Sequence, residues 1–72
     1  MFYTERMKDL RLDRNLTQKQ LAEVLGIAQN TYSQYETGVN GLPVEMLIAL
    51  CKFYDVSADY LLGLSDKKEP SK

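Results

Sequence analysis

A chain of 72 residues with a formal charge of −1, 44% apolar and 26% charged residues reads as one ordinary soluble globular domain, not a disordered chain. Its longest apolar run, Leu47 to Cys51, is too short to span a bilayer, and the N-terminus lacks the basic-then-apolar pattern of an export signal, so a cytoplasmic location is expected. One cysteine and no histidine argue against an internal disulfide, the usual zinc ligand sets and the commonest general base; with no glycine-rich phosphate cradle either, no catalytic residue, cofactor or metal is assigned.

In chain order, Tyr3, Met7 and Leu10 share one helical face, which predicts a first helix from Thr4 to about Asp13 with Thr4 as its cap. Asn15, tolerant of the left-handed conformation, ends it. Thr17-Gln18-Lys19-Gln20 has the capping-box form, so a second helix begins there and carries Leu21, Val24 and Leu25 up to Gly26. After Gly26 and Ile27 a third helix is expected at about residues 28 to 36. At 100° per residue, Gln29, Asn30, Ser33, Gln34 and Thr37 share an arc of about 140°, with Ala28, Thr31, Tyr32 and Tyr35 on the other side. The first face is built of amides and hydroxyls without a charge, where a plain solvent-facing surface is usually filled with Lys and Glu. A merely solvated face is the alternative reading.

Gly38, Asn40 and Gly41 mark a loop, and Pro43 suits the first position of a fourth helix reaching Tyr54. Val44, Met46, Leu47, Ile48, Leu50, Cys51 and Phe53 make that helix apolar around much of its circumference, as expected of a central buried helix. Ser57 can cap a short fifth helix, with Asp59 in its first turn and Gly63 at its end. Five helices without a strand pattern predict a compact all-α domain over residues 1–64. Residues 65–72, with Lys67, Lys68 and Pro70, are expected to form a flexible charged tail.

The charge is the main fact against nucleic-acid binding. Up to Gly38 five basic residues balance five acidic ones, and the remainder has four lysines against five acids. Any DNA contact must therefore depend on the placement of polar donors more than on overall charge.

The run from Leu16 to Ile27 and the run from Gln29 to Gly38, followed by Leu47 to Cys51 and Val56 to Leu62, resemble the DNA-binding domain of the phage repressor and Cro helix-turn-helix family, the XRE family. The resemblance covers about residues 4 to 64. It implies a repressor-like five-helix domain whose third helix enters the major groove of double-stranded DNA, a geometry known from phage repressors. Gln29, Asn30, Ser33 and Gln34 would then face base edges, where a Gln or Asn amide can make a bidentate match to adenine. Thr17, Gln18, Lys19, Thr31, Asn40 and Gly41 would hold phosphates. Arg11 would pair with Glu36 and brace the reading helix. Ala28 departs from the pattern, standing where the family usually has a Ser or Thr cap, and Gln34 stands where many relatives carry Arg or Lys. A palindromic operator bound by a homodimer is implied, with Tyr60, Leu61 and Leu64 as candidates for the dimer surface or for core closure. A transcriptional regulator, acting as a repressor, is the leading expectation. The competing one is a module for a protein partner, a toxin or an anti-repressor, which the acidic balance favours and the intact polar face disfavours.

Overall fold

The computed structural model describes residues 2–69, which form five α-helices: α1 (Tyr3–Asp13), α2 (Gln18–Leu25), α3 (Gln29–Thr37), α4 (Val44–Tyr54) and α5 (Ala58–Leu61). Met7 and Leu10 of α1, Leu21 and Ala22 of α2, Tyr32 of α3, Leu50 and Tyr54 of α4, and Val56, Tyr60 and Leu61 make one buried cluster. Every helix contributes to it, so the five bury their apolar faces in one shared core.

Local chemistry sets the helix ends. α1 begins one residue earlier than expected: Phe2 is its N-cap, without a side-chain cap, and Thr4 already lies inside the first turn, where it cannot act as the cap. Beyond Arg14, Asn15 adopts φ 56°, and the amide of Leu16 returns to the carbonyl of Arg11 at 3.1 Å. The capping box of α2 is complete, with the Gln20 amide donating to Thr17 Oγ1 at 3.1 Å and the Thr17 amide donating to Gln20 Oε1 at 2.8 Å. Gly26 ends α2 at φ 70° and the Ile27 amide reaches back to the Ala22 carbonyl at 3.0 Å, which turns the chain directly into α3.

α4 departs from expectation in two respects. Pro43 is its N-cap in an extended conformation, so the helix proper starts at Val44. Nor is it a central buried helix: only Leu50 and Tyr54 are buried, while Val44 is 66% and Ile48 49% exposed. A domain this small buries too little of its surface to enclose any helix, and α4 packs along one side. Ser57 caps α5 by accepting from the Tyr60 amide at 3.0 Å, and Gly63 follows at φ 80°. Of the 65–72 segment, the described part runs beside this cap: the Ser57 amide and hydroxyl donate to the carbonyls of Lys68 and Lys67 at 2.9 and 3.3 Å. Pro70 and the two residues after it lie outside the described residues. No helix among the described residues is long and apolar enough to cross a membrane.

The sharp α2–α3 turn depends on one backbone conformation. A methyl group added at Gly26 meets nothing within 4 Å, so the whole effect of Gly26→Ala is the left-handed strain of about 1–2 kcal/mol. Denaturant unfolding should show a loss of that size, and Gly26→Asn a smaller one, because Asn tolerates this region.

Candidate nucleic-acid interface

α3 has two opposed faces. Tyr32 and Glu36 are buried, Tyr35 and Thr31 half-buried, and Gln29, Asn30, Gln34 and Thr37 exposed, with Ser33 half-buried between them. The outward face therefore consists of the amides and hydroxyls that share the expected arc, and no charged side chain interrupts it.

The inward face is fixed by an ion pair. The Arg11 guanidinium donates from Nη2 to Glu36 Oε1 at 2.8 Å and from Nε to Oε2 at 3.0 Å, while Nη1 donates to the carbonyl of Leu16 at 2.9 Å. The two side chains are only 11% and 2% exposed. Gln18 Nε2 adds a long contact to Glu36 Oε1 at 3.4 Å, so α1, α2 and α3 meet at one carboxylate, and Arg11 ties in the turn after α1 through Leu16. Burial by itself raises the Glu36 pKa, but the bonds from Arg11, supported by Tyr32 and Gln18, outweigh it and hold the carboxyl below its ordinary value. The Tyr32 hydroxyl is buried beside this carboxylate without full hydrogen-bond geometry. Burial raises its pKa strongly and pushes the Tyr54 phenol up to about 12, so both stay neutral.

At the C-terminal end of α3 the chain turns at Gly38 (φ 85°) and comes back onto Gln34. The Gln34 carbonyl accepts from the amides of Gly38 at 3.1 Å and Asn40 at 3.2 Å. The side chains join as well, with Asn40 Nδ2 donating to Gln34 Oε1 at 2.7 Å. Sequence reasoning missed this link, since Asn40 stood there only as a phosphate contact. At the N-terminal end, Ala28 has the extended conformation of a cap but supplies no side-chain acceptor. In α2, with the capping box satisfied, the Gln18 and Lys19 amides are unpaired among the described residues, Lys19 is exposed, and the Thr17 hydroxyl is taken up in the cap. Gly41 is exposed in the loop.

A family model for the helix-turn-helix matches residues 7–61. The chain belongs to the XRE-type helix-turn-helix family. It is 44% identical over 68 residues to the uncharacterized HTH-type transcriptional regulator YobD of Bacillus subtilis, a match that covers 94% of this chain and 61% of that protein. It is 34% identical over 64 residues to the cryptic phage CTXphi transcriptional repressor RstR of Vibrio cholerae, covering 89% of this chain and 58% of the repressor. The chain thus spans about three fifths of the length of these relatives. Among solved structures, the P22 c2 repressor in complex with a synthetic operator superposes with a TM-score of 0.80 at 29% identity, covering 90% of this chain and 98% of that one. A Listeria innocua transcriptional regulator superposes with the same score at 30% identity, covering 85% of this chain and 57% of its own. The family is a class of DNA-binding transcriptional regulators, not of enzymes.

In this helix-turn-helix domain α2 and α3 form the motif and α1 supplies its brace. The remaining assignments need one correction. Tyr60 and Leu61 are 9% and 0% exposed, and the Arg6 guanidinium covers the Tyr60 ring at 3.9 Å, so both belong to the core and neither can present a dimer surface. Leu64, at 75% exposed, stays available, as do Val44 and Ile48 on α4. Two of the three arginines are held in the interior, Arg6 on Tyr60 and near Asp66 and Arg11 on Glu36, while Arg14 is exposed and donates one bond, from Nη2 to the Tyr54 carbonyl at 2.9 Å.

The ion pair makes stability depend on pH in one direction. Because the folded-state pKa of Glu36 lies below the ordinary glutamate value of about 4.5, the stabilisation is fully present above about pH 4.5 and is lost as pH falls through the folded value. Thermal unfolding should show the gap between wild type and Glu36→Gln narrowing on acidification. Arg11→Met strands a buried carboxylate and should cost about 3–5 kcal/mol at neutral pH. The double change Arg11→Met with Glu36→Leu should be milder, and a double mutant as unstable as Arg11→Met would contradict this account.

Proposed function

We propose that this protein is a sequence-specific regulator of transcription, acting as a repressor, that sets α3 in the major groove of double-stranded DNA. It does so in the cytoplasm, as a symmetric dimer on a palindromic operator. The observation that carries the reading is the uncharged amide and hydroxyl face of α3, presented outward on a helix whose opposite face is held by the Arg11–Glu36 pair. The side chains of Gln29 and Asn30 make no hydrogen bond among the described residues, so each amide has its donor and acceptor free for a base edge. Gln34 and Ser33 complete the face. Thr17, Gln18, Lys19, Thr31, Asn40 and Gly41 are the phosphate contacts, with the open N-terminus of α2 as their centre.

The dimer follows from arithmetic of specificity. One recognition helix reads only a few base pairs, so selectivity against a genome needs two half-sites about one helical turn apart. Leu64, with Val44 and Ile48, supplies exposed apolar surface for such an assembly. A protein partner, a toxin or an anti-repressor, is the second reading. It is favoured by that same apolar surface and by a 33% identical relative over 57 residues, the antitoxin PezA of Streptococcus pneumoniae, of which the chain covers 36%.

Selection from a random duplex pool tests the proposal. Wild type should enrich a palindromic sequence; Gln29→Ala should relax particular base positions, at about 1–3 kcal/mol of discrimination for each lost pair. Lys19→Ala should instead weaken all sequences alike and lower the salt slope by about 1. Failure to enrich any duplex, together with a copurifying protein, would decide for the second reading. Sedimentation showing a monomer both free and on selected DNA would remove the dimer.

A further inference from the structure

The exposed face of α3 is not uniform, because one of its amides is already engaged. Gln29 and Asn30 are free, whereas Gln34 Oε1 accepts from Asn40 Nδ2 at 2.7 Å. The contact is exposed, where an isolated side-chain pair exchanges readily with water. Here it does not stand alone. Gly38 turns the chain at φ 85°, and the Gln34 carbonyl receives the Gly38 amide at 3.1 Å, the Asn40 amide at 3.2 Å and the Thr37 hydroxyl at 3.4 Å. Those bonds hold the Asn40 backbone over Gln34, so the side-chain bond closes a loop of six residues whose ordering cost is already met.

We infer that Asn40 is a positioning residue that sets which end of the Gln34 amide faces the DNA. With Oε1 directed to the loop by the Asn40 bond, the end of the amide without a partner among the described residues is the Nε2 amine, a donor. A free glutamine recognises adenine by accepting from its N6 amine while donating to N7, which needs both ends of the amide. A glutamine held at its oxygen leads with its two N–H groups, and the major-groove edge that offers two acceptors is that of guanine, through O6 and N7. Gln34 therefore reads an acceptor edge, and the base preference at its position is written partly in residue 40, outside the helix. This rests on the proposal that α3 reads DNA. It replaces the phosphate role of Asn40 with a role in specificity.

Two variants at residue 40 separate the possibilities, each compared with wild type by duplex selection at the position that Gln34→Ala relaxes. Wild type should prefer guanine there. Asn40→Ala frees the amide and should move the preference to adenine. Asn40→Asp places an acceptor-only carboxylate beside Gln34, draws Nε2 towards the loop and presents Oε1, so the preference should move to bases with a major-groove amine, cytosine or adenine. Each change of base is expected to be about 5- to 150-fold, and it is read as a ratio within one variant, so the added charge of aspartate does not enter it. The backbone bond from residue 40 to Gln34 is kept in both. In the free protein, the Asn40 side-chain amide protons should exchange slowly in NMR and lose that protection in Gln34→Ala. Protection on Gln34 Nε2 instead would show the opposite polarity and overturn the inference. So would residue-40 variants that weaken all sequences equally while the selected base stays unchanged, a result that leaves DNA reading by α3 intact and returns Asn40 to the phosphates. Absence of any enrichment by wild type would remove both proposals together.

Discussion

The arrangement of the motif depends on a carboxylate that is buried near the end of α3. Glu36 is almost fully removed from water, and an isolated charge there would be prohibitive. It is tolerated because the Arg11 guanidinium meets both of its oxygens with directional bonds and uses its remaining nitrogen on the Leu16 carbonyl. A guanidinium has the flat, multi-donor shape that this requires, which a lysine ammonium lacks. A buried pair of this kind adds little net stability over an apolar pair of equal volume. What it does impose is geometry: if α3 rotates or slides, a buried charge loses its partner. The pair thereby fixes the rotation of α3, and with it the direction in which Gln29, Asn30, Ser33 and Gln34 point.

The turns enforce the same choice from the ends of the helices. Gly26 turns the chain between α2 and α3 within three residues, and Gly38 turns it again after α3. Between them α3 is only nine residues long, too short to be stable in isolation. It persists because Tyr32 is buried in the shared core and Glu36 is bound to α1. A short helix held at both turns and along one face presents its other face with little conformational freedom left to lose on binding, which favours specificity through directional contacts.

What could be read from the chain alone follows the range of the forces involved. The capping box at Thr17 and Gln20, the left-handed residues Asn15, Gly26 and Gly63, and the split of α3 into two faces are local, and residue type with spacing is enough to place them. For α4, apolar residues around a helix do not reveal which side has a neighbour, and Val44 and Ile48 are left 66% and 49% exposed. Tyr60 and Leu61 lie beside Leu64 in sequence yet inside the core, a distinction made by the path of α5. Glu36 falls at the border of the two faces on a helical wheel, and its burial is decided by Arg11, 25 residues away. The Asn40–Gln34 bond depends on where the loop returns, which no periodicity encodes.

The use of the arginines sharpens the paradox of a nearly neutral DNA-binding domain. Arg6 and Arg11 are committed to internal contacts with Tyr60 and Glu36, and on the proposed reading this leaves exposed Arg14, lysines such as Lys19 and the backbone amides of α2 as the positive groups for phosphate. If those are the phosphate contacts, few counterions are released on binding, so affinity would gain little from nonspecific attraction and lose little as salt rises. A basic binder of the same fold can tolerate a wrong base because phosphate contacts retain it. Here each mismatched amide removes a larger share of the total. The price of a charge-poor surface is weak general binding, and its consequence is that discrimination between sequences rests on how firmly the amides of α3 are aimed.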